Sequence, residues 1–232
     1  MFDLLIRNAV IADPLSGFLG KSDIAVEDGL IAEVARTLPA ESARETLEGD
    51  GLILQPGIVD ARLALSLKRF DPRAAVKSGT TTLIAGTSST GCLLKGLAEK
   101  SCGLTVAILK TMLPGENISG PNPTAREIEA FMETALEDGA FGIKLLGAHF
   151  SLTPEATGRC LEASQKLGAW ISVQAGKTQS SGTPFERLEE VVRLAHGIPF
   201  LLTHLDDFSD DLDRTAALLE AHPEIITEIC LE

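Results

Sequence analysis

The stretch Gln55-Pro56-Gly57-Ile58-Val59-Asp60-Ala61-Arg62-Leu63-Ala64 decides the fold, because the rhythm of the chain changes there. Before it, short apolar runs are separated by turn residues alone; after it, apolar runs alternate with helical patterns. Leu52 to Val59 is an apolar run of strand length, and Asp60 closes it. Pro56-Gly57 punctuates the approach, since proline lacks a backbone N–H and glycine adopts conformations closed to other residues.

Upstream, residues 1–50 predict a small β unit. Phe2 to Ile11 is apolar with Arg7 and Asn8 interrupting, and Asp13-Pro14 and Ser16-Gly17 mark a turn. Asp23–Val26 and Leu30–Val34 flank Asp28-Gly29, a two-residue hairpin signal because both positions tolerate φ > 0. Downstream, residues 51–232 predict a barrel-type domain. Apolar runs recur at Leu52–Val59, Thr80–Ala85, Leu104–Lys110, Phe141–Leu146, Trp170–Gln174, Phe200–His204 and Ile225–Cys230. Helical patterns between them carry start signals: Thr124-x-x-Glu127 and Thr183-Pro184-x-Glu186 are capping boxes, and Thr153-Pro154 puts proline in the first turn. Strand and helix in alternation imply a parallel sheet covered by helices. The expected class is α/β, a (β/α) TIM-type barrel with a small N-terminal β unit. A closed barrel of this type needs eight strands, and seven runs predict an incomplete one. A doubly wound open sheet fits less well, because no G-x-G-x-x-G follows the first run.

Composition narrows the partners. The formal charge of −13 argues against nucleic acid or an anionic membrane surface, both of which require clustered Lys and Arg. Aromatic residues make up only 4% and Tyr is absent, so the core must come from Leu, Ile, Val and Ala. Cys92, Cys102, Cys160 and Cys230 form no C-x-x-C pair, no signal peptide is visible, and no apolar run reaches bilayer length. A cytoplasmic protein acting on a small molecule, or on another protein, is the expectation.

Pro56, Gly57, Val59 and Asp60 resemble the P-G-x-[IV]-D-x-H-x-H frame of the amidohydrolase superfamily, dihydroorotase- and hydantoinase-like, with Arg62 and Ala64 at the two histidine positions. Residues 1–50 are similar to the N-terminal part of the family's β-sandwich. Gly139–Gly147 resembles the segment holding the lysine that many members carboxylate to bridge two metals, which places Lys144 there. The likeness continues through Ala148–Thr157 and is nearest to the branch that deacylates N-acyl-D-amino acids, D-glutamate derivatives in particular. The resemblance implies a metal-ligating histidine at the position of Gln174, another at His204, a metal-binding cysteine near Ser88, and a general-base aspartate on an eighth strand that has no counterpart. Lys144 and His204 are the retained metal positions. A catalytic Zn²⁺ usually has three protein ligands, and an amide is a poor one. No cofactor is therefore expected; if one binds, it would be a divalent metal such as Zn²⁺.

The substrate-binding candidates are Arg62, Lys144, His149, Lys177 and His204, since cations at strand ends suit a carboxylate or another small anion. Each has a plainer reading. Lys144 can pair inside the barrel mouth with Asp206 or Asp207, His204 can be a core histidine, and His149 can be an exposed loop residue. His196 and His222 fall at helix ends, and charged residues 186–193 and 206–214 look like solvated helix faces. Three functions stay open: a non-catalytic or partner-dependent subunit, in a homo-oligomer or beside an active homologue; an active metal-dependent C–N hydrolase, either an N-acyl-D-amino-acid deacylase or a cyclic amidase; and metal-free binding of an anion.

Overall fold

The computed structural model describes residues 1–63, 71–98 and 103–228. The chain divides into two compact units, Met1–Gly57 and Ile58–Glu232. In the first, β1 (Phe2–Asp13), β2 (Phe18–Glu27), β3 (Leu30–Ala35) and β4 (Ala43–Glu48) lie in the order β3-β2-β1-β4, and β5 (Ile53–Leu54) also pairs with β1. The first two hairpin pairings are antiparallel, whereas β4 and β5 run parallel to β1. Asp28 and Gly29 both take positive φ, 51° and 75°, as the predicted tight hairpin requires. The Arg7-Asn8 interruption is a break in the β1–β2 register between Ile6 and Ala9, with Asn8 at φ 59°. Asp23, 1% exposed, holds this irregular backbone together by accepting from the N–H of Asn8 at 2.7 Å and of Leu38 at 2.8 Å.

The second unit is a seven-stranded parallel sheet that curls into a half-barrel, its strands following one another in sequence order. They are β6 (Ile58–Leu63), β7 (Thr80–Thr87), β8 (Thr105–Met112), β9 (Gly142–Leu145), β10 (Trp170–Val173), β11 (Phe200–Leu202) and β12 (Ile225–Thr227). Helices α1 (Pro72–Lys77), α2 (Thr90–Ala98), α3 (Ala125–Glu137), α4 (Pro154–Leu167), α5 (Pro184–Ala195) and α6 (Leu212–Ala221) connect them. Sequence chemistry sets where the helices begin. Thr124 and Thr183 each accept from the N–H three residues on while Glu127 and Glu186 reach back, and Thr153 caps α4 ahead of Pro154. Gly168 ends α4 in the left-handed region at φ 64°.

One run of the sequence is divided. Leu52 to Val59 reads as a single strand, yet Ile53–Leu54 joins the small sheet and Ile58 opens the barrel sheet, with Gln55-Pro56-Gly57 between them. Pro56 cannot donate to a ladder, which makes it a natural break. β6 then continues past Asp60 to Leu63.

The main core lies between the sheet and its helices. Ile143, Leu145, Ile171, Val173 and Leu202 from the strands meet Ile128, Met132, Leu161, Leu188 and Val191 from α3, α4 and α5, all at most 4% exposed. Successive strand residues face opposite ways, so Lys144, between Ile143 and Leu145, points to the face away from these helices. Thr111 on β8 and Ser172 on β10 stand beside Lys144 in register and share that inner face.

Candidate functional site

In half- and full barrels of parallel strands, functional groups gather where the strands end and the following loops begin. Lys144 stands one residue before the end of β9 and is half-buried. Its stem crosses β8 to reach β7: a Cβ on Gly86 would lie 2.9 Å from Lys144 Cδ and 3.5 Å from Thr111 Oγ1. Gly86 is thus the space in which the lysine lies. Arg62 belongs to β6; Ala64 lies outside the described residues, as do Leu231 and Glu232. Ser88 follows β7 in an exposed turn leading to α2, where the Ser89 N–H donates to Thr87 Oγ1 at 3.1 Å.

The loops after β9, β10 and β11 are tied into one network. Gln174 follows β10, and its side-chain amide is used at both ends: Oε1 accepts from the Gly147 N–H at 3.3 Å, and Nε2 donates to Asp207 Oδ2 at 3.2 Å. Lys177 Nζ stands 3.6 Å from Asp207 Oδ1. With Lys177 about half exposed, that ion pair contributes no more than about 1 kcal/mol. Ser151 Oγ meets the carbonyls of Ala148 and Lys177 at 2.6 and 2.7 Å, and Gln179 Nε2 donates to the Ser151 carbonyl at 2.9 Å. Glycines permit the approach. A Cβ on Gly147 would fall 2.0 Å from Lys177 Cβ, and one on Gly176 would fall 2.8 Å from Asp207 Cβ.

The five sequence candidates are distributed unevenly around this network. Lys177 is part of it. His149 lies next to it, exposed, in the turn Ala148–Phe150 whose first residue takes φ 58°. His204 follows β11 half-buried in the left-handed region, φ 59°, and its carbonyl accepts from the Asp207 N–H at 2.9 Å. A non-glycine residue held at positive φ is uncommon and marks a constrained position. Lys144 extends toward β7.

Two residues have roles that their local sequence conceals. Arg187 and Asp207 sit among charges that read as solvated helix faces, yet both are partly buried. Arg187 clamps the loop after β10 through the carbonyls of Ser180 and Gly176, each at 2.8 Å, and Asp207 joins that loop to the one after β11. The helix periodicity of residues 184–195 places Arg187 on the face beside Leu188 and Val191, which is the available signal for it. His196 and His222 do lie at the C-terminal ends of α5 and α6, and His222 Nδ1 is 2.9 Å from Glu224 Oε1.

Among the described residues, no three His, Cys, Asp or Glu side chains come together in a way that could hold a divalent metal. Gln174 is hydrogen-bonded at both ends of its amide, and Asp207 already serves an amide and an ammonium. Among the described residues, the donors at these strand ends do not make up the three or four ligands of a usual Zn²⁺ site. Likewise, among these residues no helix is long and apolar enough to cross a membrane.

The chain resembles solved structures over nearly all of its length. It matches D-aminoacylase, described as defining a novel subset of amidohydrolases, with a TM-score of 0.69 at 19% identity, covering 98% of this chain and 58% of that one. The fold is that of the amidohydrolases. The N-acyl-D-glutamate deacylase of Bordetella bronchiseptica, complexed with zinc and a phosphonate inhibitor, shares it with a TM-score of 0.72 at 18% identity. So does the L-hydantoinase of Arthrobacter aurescens, with 0.68 at 18%; both comparisons again cover 98% of this chain and 58% of theirs. By sequence, the amidohydrolase-fold chain is 34% identical over 141 residues to adenine deaminase 2 of Desulfotalea psychrophila, taking in 55% of this chain and 24% of that protein. The chain thus spans about a quarter of the curated relative and somewhat over half of the solved structures. No family model matches it.

Proposed function

We propose that this amidohydrolase-fold chain has a degenerate metal site, does not hydrolyse C–N bonds by its own residues, and serves as a partner-dependent or structural subunit. The observation that carries the reading is Gln174. It stands at the end of β10, where the family resemblance places a metal-binding histidine, and its amide is hydrogen-bonded on both sides. A neutral amide oxygen is a poor donor to Zn²⁺, which favours imidazole, thiolate or carboxylate. Lys177, Lys144 and Arg62, at or just past strand ends, suit such a mouth to a small carboxylate or another anion. The partner would be a second copy or an active homologue.

The test is hydrolysis by the purified chain in the presence of added Zn²⁺, with N-acetyl-D-glutamate and hydantoin as substrates. No turnover above a Lys144→Met control is expected. Turnover that disappears on chelation and in that control would refute the reading.

A second reading is an active metal-dependent deacylase or cyclic amidase. It is favoured by the likeness to the zinc-bound deacylase and by Lys144 and His204 at their strand ends. A bound metal would polarise the amide carbonyl and activate water, with the remaining ligands supplied by another chain. A catalytic complex recovered on mixing with a full-length homologue, more active than the homologue alone, would distinguish this from a purely structural role.

A further inference from the structure

The mouth of the half-barrel contains a carboxylate in a fitted cradle, and the carboxylate is the chain's own. Gln174 Nε2 addresses Oδ2 of Asp207 at 3.2 Å while Lys177 Nζ addresses Oδ1 at 3.6 Å, so two donors from one loop meet both oxygens of one group. Gly176 lies between them, and a Cβ there would come within 2.8 Å of Asp207 Cβ and 3.0 Å of Oδ2. The Gly176 carbonyl is in turn held by Arg187 at 2.8 Å, and Gln174 is anchored by the Gly147 N–H, so the cradle is fixed from behind. Asp207 reaches it from a different loop, the one after β11, and its side chain is 13% exposed. A hydrogen bond from an amide and the charge of a nearby ammonium together recognise a carboxylate as such, whichever molecule carries it.

We propose that Gln174, Gly176 and Lys177 form a binding site for small carboxylates which Asp207 occupies as an internal competitor. The proposal rests on the reading above only in taking Gln174 as a hydrogen-bond donor and not as a metal ligand. It follows that a ligand must displace the Asp207 carboxylate before it is held. Removing the Asp207 carboxylate should leave a cavity with two waiting donors and no occupant.

The full chain carrying Asp207→Gly is melted in sodium acetate and in sodium chloride at equal ionic strength. Acetate is expected to raise the Tm of the variant over chloride by about 3–5 °C, the size of shift a ligand worth about one tenfold step in equilibrium gives a chain of this length. The wild type should melt alike in both salts. Adding Lys177→Met to Asp207→Gly should abolish the acetate effect. In Asp207→Ala, the Gln174 side-chain amide resonance should move saturably as acetate is added. Equal Tm in the two salts for the Asp207→Gly variant, or the same acetate effect in the wild type, would overturn the proposal. So would failure of both single variants to fold at any acetate concentration, which would make Asp207 a structural tie. The zinc content of the wild-type chain is a separate measurement, so loss of the metal reading and loss of the cradle would be told apart.

Discussion

At the scale of single residues, the glycines at the mouth are the most demanding positions. A Cβ on Gly147 would fall 2.0 Å from Lys177 Cβ and 2.8 Å from its carbonyl oxygen, and backbone cannot move aside cheaply. Gly147→Ala is expected to cost about 2–3 kcal/mol, as overpacking does, seen as a lower urea midpoint with an unchanged slope. Cys160 gives a second prediction. Burial pushes its thiol up to about 12, and it is wholly enclosed, whereas Cys92 is exposed. Alkylation of the native protein followed by peptide mapping should therefore modify Cys92 and spare Cys160 until the chain unfolds; labelling of Cys160 at a comparable rate would contradict the packing described. The sequence drew attention to Gln174, Lys144 and His204 through the family resemblance around each, and of these Gln174 is the one whose side chain joins the loops. It concealed Arg187, and it offered Asp207 only as a partner for Lys144 and not for Gln174 and Lys177, because these roles come from loops brought together by the sheet and not from neighbours in the chain.

At the scale of elements, what is local in the chain is legible in it. The three predicted caps and the Asp28-Gly29 turn all form, since each depends on residues within one turn of one another. Thr183→Ala, which removes the acceptor for the Glu186 N–H, is expected to cost about 1 kcal/mol by chemical denaturation. The cap of α3 carries a pH signature. Hydrogen bonds from the Ser119 side chain, then from the Thr124 N–H and hydroxyl, hold the Glu127 carboxyl down to about 2 from its ordinary 4.5. A folded-state value below the unfolded one stabilises the protein at pH above about 4.5, and this contribution falls away as pH drops toward 2. The gap in urea midpoint between wild type and Glu127→Gln should thus narrow between about pH 6 and about pH 3; a gap that widened on acidification would contradict the assignment. Less legible was the strand at residues 52–59. Its apolar run is broken only at Gln55-Pro56-Gly57, and which sheet each half joins is settled by long-range pairing with β1 and β7.

At the scale of the whole chain, a seven-stranded parallel half-barrel was foreseeable from the change of rhythm at Gln55–Ala64, because periodicity records which faces are buried. Chemistry does not follow from that likeness, since the same architecture carries many activities and the site decides among them. In this chain the strand ends are joined by hydrogen bonds through Gln174 and Asp207, and the described residues hold no cluster of metal donors. The central proposal is that the described residues do not by themselves build a metal centre. It is tested most directly by the metal content of the purified chain after incubation with excess Zn²⁺ and removal of free ion. The account predicts well under one equivalent, unchanged in His204→Ala. About one tightly held equivalent per chain, lost in Lys144→Met and His204→Ala, would contradict it.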